Sequence, residues 1–186
     1  MTHTDENTED LAYSLTDDDL LGISPDELKS LFRGHPAGVA VITADDGTGP
    51  VGMTASSVFS VSVAPPLVVF SASALSSSTP TLLRAESLVI HMIGTTERDL
   101  AVLCATSGID RFADTSLWDR LPTGEPYFHT ASKRFRGRVV NRLAAGASTL
   151  FVVQALESWQ EELTDSHPLV YHDRTWHALG DGSRLG

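Results

Sequence analysis

Cysteine is nearly missing from this chain of 186 residues: Cys104 stands alone, so no internal disulfide can form. A reducing cytoplasm is the expected setting. Long apolar runs are missing too, and none approaches the ~20 residues that a membrane-crossing helix needs. Residues 1–28 contain no lysine or arginine. They read as neither a secretory signal nor an Arg-rich transit peptide. Familiar catalytic signatures are absent as well: no Cys-x-x-Cys, His-Glu-x-x-His, Gly-x-Ser-x-Gly or Walker phosphate loop occurs. Clustered basic residues are lacking, which argues against nucleic acid as a partner.

Acidic charge is present, and it is uneven. Nine acidic residues fall within residues 1–28, out of a net charge of −11 for the whole chain. The remaining thirteen basic and fifteen acidic residues nearly balance. Residues 1–23 therefore read as a solvated, partly disordered arm, or as an arm whose Leu11, Tyr13, Leu15, Leu20, Leu21 and Ile23 pack on a neighbouring subunit. Residues 24–180 are expected to form one domain, and residues 181–186 a short tail. At 41% hydrophobic and 20% charged, the composition is that of a globular chain with a real core.

Ser24-Pro25-Asp26-Glu27 carries the signature of a helix start, with Ser24 as cap, Pro25 in the first turn and Glu27 closing a capping box. Leu28, Leu31 and Phe32 give that helix an apolar face, and Gly34 stops it. Residues 37–44 read as one strand, apolar on both faces and therefore buried on both. A turn at 45–50 returns the chain through 51–57. Further strands are expected at 67–72, 88–93, 135–143, 149–159, 169–172 and 176–179, with helices at 79–85 and 95–106. Residues 109–126 read as irregular. Short connections and few helices make this a mainly β fold, a closed or nearly closed barrel with peripheral helices. Cys104 falls on the apolar face of the second of those helices with Leu100 and Leu103, as a small core residue would. His167, His172 and His177 lie close in sequence but read as structural or surface histidines, and no metal site is expected.

The stretch 52–79 stands out. It begins Gly52-Met53-Thr54-Ala55-Ser56-Ser57, continues through Ser60-Val61-Ser62 and Pro65-Pro66-Leu67-Val68, and closes on Ser76-Ser77-Ser78-Thr79. Gly52 and Ala55 leave the return strand thin on one side, which suits either a close strand crossing or a ligand. The final hydroxyls precede a helix, where free amides and the positive dipole end favour a phosphate; an ordinary capped loop is the plainer alternative. A small-residue pocket without an acid–base cluster suggests that a cofactor carries the chemistry.

These blocks, in this order, resemble the flavin reductase-like family of FMN-binding split β-barrels. The likeness extends through residues 37–44, 99–112 and 168–179, and so covers most of 24–179. It implies FMN or FAD as cofactor, with NADH or NADPH as electron donor. It places Met53, Thr54, Ala55, Ser56 and Ser57 along the flavin ring and ribityl chain, Ser71 beside the ribityl or phosphate, and Ser77, Ser78 and Thr79 on the phosphate. His91 would face the flavin, although on its own it reads as a satisfied core histidine. Arg111 and Phe112 match a segment near the flavin. Tyr171 and His172 match the segment where the nicotinamide substrate or a second flavin rests, and His172 or Arg174 would stand in for a histidine that this chain lacks. No protein side chain is expected to act as a catalytic acid or base. The resemblance also implies a homodimer and, as partner, a flavin-dependent monooxygenase reached by diffusing reduced flavin.

One departure stands inside the likeness. Where many members read Gly-Asp-His, this chain reads Gly146-Ala147-Ser148. Three readings follow: an NAD(P)H-dependent flavin oxidoreductase; a flavin-binding protein without that activity, as carrier or with another donor; and a barrel without flavin that uses its acidic arm for contact.

Overall fold

A computed structural model describes residues 22–161 and 165–185. The acidic arm, apart from its last two residues, lies outside the described residues. The first helix, α1 (Pro25–Arg33), starts as its sequence dictates. Ser24 Oγ accepts from Glu27 N–H at 3.2 Å, and Glu27 Oε2 accepts from Ser24 N–H at 2.8 Å. Two orphan amides of the first turn are thereby satisfied. No residue of α1 is buried, and Leu31 and Phe32 are 68% and 64% exposed.

Residues 37–44 form two strands, not the single one expected. β1 (Ala37–Gly38) and β2 (Ala40–Asp45) belong to different sheets. Between them, Val39 turns its carbonyl to Ile93 N–H at 3.0 Å. The apolar alternation runs unbroken through Val39, so the side chains carry no mark of the change of sheet. β3 (Pro50–Ala55), β4 (Phe59–Ser62) and β5 (Leu67–Ser73) follow, then α2 (Thr79–Arg84) and β6 (Ser87–Met92). A 3-10 turn at Thr95–Glu97 leads into α3 (Arg98–Ala105), which is shorter than the expected 95–106 helix.

The segment read as irregular contains β7 (Trp118–Arg120) and runs into β8 (Pro126–Phe128), which pair as a hairpin. β9 (Lys133–Ala145) and β10 (Ser148–Gln160) are the longest strands, and β11 (Leu169–His172) and β12 (Thr175–Ala178) complete the chain.

Seven antiparallel strands form the main sheet in the order β3-β2-β6-β9-β10-β5-β4. The sheet wraps around a core drawn from both of its halves: Ala40, Ile42 and Ala44 of β2 meet Phe70 of β5 and Phe151 and Val153 of β10. Phe70 and Phe151 stack at 4.8 Å between ring centroids. Curvature comes from register shifts in the β9–β10 pair, between Val152 and Val153 and between Ala155 and Glu157. The two ends of the curled sheet are joined after β3, where Ser57 Oγ accepts from Ser71 N–H at 3.0 Å. This is the split barrel that the sequence implies.

The other face of β2 builds a second core. Val39 and Val41 pack with Leu100, Ala101 and Cys104 of α3 and with Phe112 and Phe128. One strand thus serves two cores, as its doubly apolar pattern requires. Outside the barrel, β1, β11 and β12 make a three-stranded sheet in which Ala37 pairs with Tyr171. That pairing brings the end of α1 to the β11–β12 turn, where Asp173 N–H donates to Arg33 O at 3.2 Å. No helix among the described residues is long and apolar enough to cross a membrane.

Candidate functional site

The stretch 53–57 runs past two cavities. Met53 and Thr54 line the first, of about 370 Å³, together with Ser73, Ser76, Ser77 and Arg111. Ser56 and Ser57 line the second, of about 680 Å³, together with Phe59, Tyr171, Arg174 and residues of α1. One short piece of backbone therefore borders both.

The hydroxyls in and behind the wall of the first cavity divide into two groups, with Ser78 and Thr79 outside its lining. Ser78 Oγ is buried and donates to Gly52 O at 2.9 Å, Thr79 Oγ1 donates to Ser73 O at 2.7 Å, and Thr54 Oγ1 donates to Ala101 O at 2.6 Å. These three hold α2 and α3 against the sheet and leave little for a ligand. Ser77 is different: it is exposed, and among the described residues its N–H makes no hydrogen bond. Arg111 closes the opposite wall. Its Nη1 lies 3.4 Å from Ser77 Oγ, its Nη2 donates to Thr106 O at 2.8 Å, and its Nε is buried without a partner among the described residues. Ser107, in the turn after α3, adds another hydroxyl, and no carboxylate lines the cavity. One guanidinium with an orphaned donor, several hydroxyls and no negative charge make a place for an anion such as a flavin phosphate.

Three expected residues face inward. His91 has no exposed surface. Its Nδ1 is 3.0 Å from Val41 O, and its Nε2 accepts from Phe128 N–H at 3.1 Å. This arrangement fixes the neutral ring with its proton on Nδ1. Burial, aided by the nearby Arg134 charge, lowers its pKa to about 4. Its geometry is that of a satisfied core histidine joining β2 to β8. Phe112 packs between Trp118 and Phe128, at 5.0 and 5.1 Å between ring centroids. Ala55 belongs to the barrel core. The thin side at Gly52 is filled by protein: a Cβ there would stand 3.4 Å from both Cys104 Sγ and Phe112 Cε2. Close packing, not a ligand, accounts for that glycine. Burial pushes the Cys104 thiol up to about 12, so it is no nucleophile.

The second cavity gathers residues far apart in the chain. Tyr171 and Arg174, both expected, are joined by Lys29, Phe32, Arg33 and His35 from α1 and the residues just after it. These four were not foreseen, because the local pattern, with Phe32 on the apolar face of the helix, does not say which part of the chain they meet. His172 does not line this cavity. It points to the other face of β11 and packs on His177 at 5.5 Å between ring centroids. No group of three potential metal ligands is found among the described residues. Ser71 lines neither cavity, and its main chain bonds to Ser57 Oγ.

Comparison with known proteins identifies the family. The flavin reductase like domain matches residues 32–180. The chain is 44% identical over 154 residues to an NADH:FMN oxidoreductase of Rhodococcus qingshengii, covering 82% of this chain and 80% of that protein. The crystal structure of a flavin reductase domain protein from Arthrobacter sp. FB24 superposes with a TM-score of 0.78 at 31% identity, covering 83% of this chain and 95% of that one. BorF, the flavin reductase component of a bacterial two-component tryptophan halogenase, matches with a TM-score of 0.75 at 26% identity, covering 85% and 99%. This split barrel, matched by that domain over residues 32–180, belongs to the flavin reductase-like family.

Proposed function

We propose that this protein is an NAD(P)H-dependent flavin oxidoreductase taking FMN or FAD. The observation that supports it most directly is the pair of cavities bordered by one backbone stretch, the smaller suited to an anion and the larger to a second ligand. Ser77 and Arg111, with Ser76 and Ser107 beside them, would hold the flavin phosphate. Met53 to Ser57 would lie along the ring and ribityl chain, Thr54 and Ala55 through their main chain only. Ser78, Thr79, Ser71 and Phe112 support this wall from behind. A bound flavin supplies the two-electron acceptor that no side chain here can. The residues contribute position: they hold the flavin beside the larger cavity, where Tyr171 and Arg174 receive the donor.

The relatives' names support the reading, since the Rhodococcus protein is an NADH:FMN oxidoreductase and BorF serves a two-component enzyme. Reduced flavin would pass by diffusion to a partner monooxygenase in the cytoplasm. The uncovered apolar face of α1, with Leu28, Leu31 and Phe32, supports a homodimer that buries it.

A second reading, flavin binding without NAD(P)H turnover, is favoured by Gly146-Ala147-Ser148. This turn sits beside the hydroxyl loop, with Ala74 N–H donating to Ala147 O at 2.9 Å, and carries no titratable side chain. An anaerobic titration of the FMN-loaded protein with NADH, then NADPH, separates the two. Protein-dependent loss of the flavin band at about 450 nm is expected, since the cofactor carries the electrons. Retained flavin that neither donor bleaches would favour the second reading.

A further inference from the structure

The larger cavity collects charge of one sign. Lys29, Arg33 and Arg174 bring three permanent cations to it, and Asp173 is its one carboxylate. Lys29 is shared with the exposed Asp26, at 3.2 Å. Among the described residues, Arg33 and Arg174 enter no ion pair. Both belong to backbone that is held in place, because the bond from Asp173 N–H to Arg33 O joins the end of α1 to the turn that carries Arg174. In a chain of net charge −11, two unpaired guanidinium groups brought to one concavity are not a matter of overall composition.

The turn itself is the second observation. Asp173 and Arg174 have φ of 44° and 61°, the left-handed pair that a two-residue hairpin of this kind demands. Asn-Gly is the favoured filling, and an arginine at the second position holds strained backbone that glycine would relieve. The strained residue is one whose side chain lines the cavity. Around it stand the flat faces of Phe32, Phe59 and Tyr171, which suit stacking of a base or a nicotinamide ring. Ser56 and Ser57, the flavin side of the proposed site, line the same cavity.

We propose that Arg33 and Arg174 bind the pyrophosphate of the nicotinamide dinucleotide donor, and so set its affinity in the cavity that Ser56 and Ser57 also line. This rests on the reductase reading above. Forked guanidinium groups match phosphate oxygens, and two of them on tethered backbone form a clamp that needs little ordering on binding. The clamp also gives this chain a phosphate contact that is independent of the uncharged β9–β10 turn.

Calorimetric binding to the full-length, FMN-loaded protein tests this, using NAD+, which binds without reducing the flavin. Arg33→Gln and Arg174→Gly are each expected to weaken NAD+ about tenfold, the loss of one charge-assisted contact. Nicotinamide riboside, which has no phosphate, should bind all three proteins alike, and FMN affinity should not change. Glycine suits a φ of 61°, so R174G keeps or raises the melting midpoint and its lost affinity reports the missing guanidinium. Wild-type NAD+ affinity in both variants overturns the clamp and leaves the reductase reading standing. Equal weakening of NAD+ and the phosphate-free riboside also overturns it. A wild-type protein that binds FMN but neither binds NAD+ nor is bleached by NADH or NADPH fails both.

Discussion

Ser78 Oγ donates to the carbonyl oxygen of Gly52 at 2.9 Å, a buried bond that seats the start of α2 on β3. The neighbouring Ser77 points outward, toward Arg111. Two adjacent serines therefore have separable roles. Ser78→Ala should cost about 1–2 kcal/mol of stability by leaving a buried acceptor short of a partner. Ser77→Ala should leave the melting midpoint where it is and weaken FMN binding several-fold. Chemical denaturation and a fluorescence titration with FMN check the pair. Equal losses of stability in both variants would show that Ser77 is structural too.

His91 predicts a pH dependence. Its pKa is lowered to about 4 in the folded chain, against about 6.5 when unfolded. The unfolded chain thus binds a proton that the folded chain refuses. The associated stability is complete above pH 6.5 and is lost as pH falls toward 4, by about 3 kcal/mol. His91→Gln should flatten this part of the profile while losing stability at neutral pH, where it disturbs the link from Val41 O to Phe128 N–H. Urea midpoints from pH 4 to 8 for both proteins decide it. Parallel profiles would mean that the acid sensitivity comes from carboxylates such as Glu125, whose pKa is lowered by bonds from Ser87, Thr123 and Arg136 despite its burial.

Much of the barrel was legible because its signals are local. The capping box at Ser24 and Glu27, the turn before β3 and the doubly apolar run through β2 each state their structure within a few residues. The β7–β8 hairpin was not legible, since strands of three residues are too short to show alternation. Nor could sequence separate Ser77 from Ser78, as both are small hydroxyl residues in one run and only the position of Gly52 O distinguishes them. Gly52 hinted at a ligand, but Cys104 and Phe112 fill its space, and both lie more than fifty positions away. The α1 side of the second cavity was hidden for the same reason: α1 reaches the β11–β12 turn through the small sheet and the bond to Arg33 O, which no local pattern announces.

Cys104 should be silent to thiol reagents in the native protein. It is 2% exposed, and burial pushes its thiol up to about 12, so almost no thiolate exists at neutral pH. Its Sγ also closes the space over Gly52. Labelling with a maleimide should proceed only at the rate of unfolding and become complete in denaturant. Fast labelling of the folded protein would show that α3 opens locally. Cys104→Ser is expected to lose about 1–3 kcal/mol, because it buries a hydroxyl without an assured partner.

Gly137 and Val153 form a pair that a double-mutant cycle can resolve. Gly137 lies on β9 where it pairs with Ala155 of β10, next to the register shift between Ala155 and Glu157. A Cβ at Gly137 would fall 2.3 Å from Val153 Cγ1 and 3.2 Å from Gln154 O. The first contact is with a side chain and can be removed; the second is with backbone and cannot. Gly137→Ala should therefore cost about 2–3 kcal/mol by overpacking. Val153→Ala alone should also cost about 2 kcal/mol, because it empties part of the barrel core. Combined, the two should cost less than their sum, since the deleted methyl is the one that obstructs the new Cβ. Strict additivity would place the strain at Gln154 O and mean that glycine at 137 is required by the bulged backbone itself. Denaturant unfolding of the two singles and the double provides the comparison, and FMN binding, which none of these residues touches, serves as the check that each variant keeps its fold.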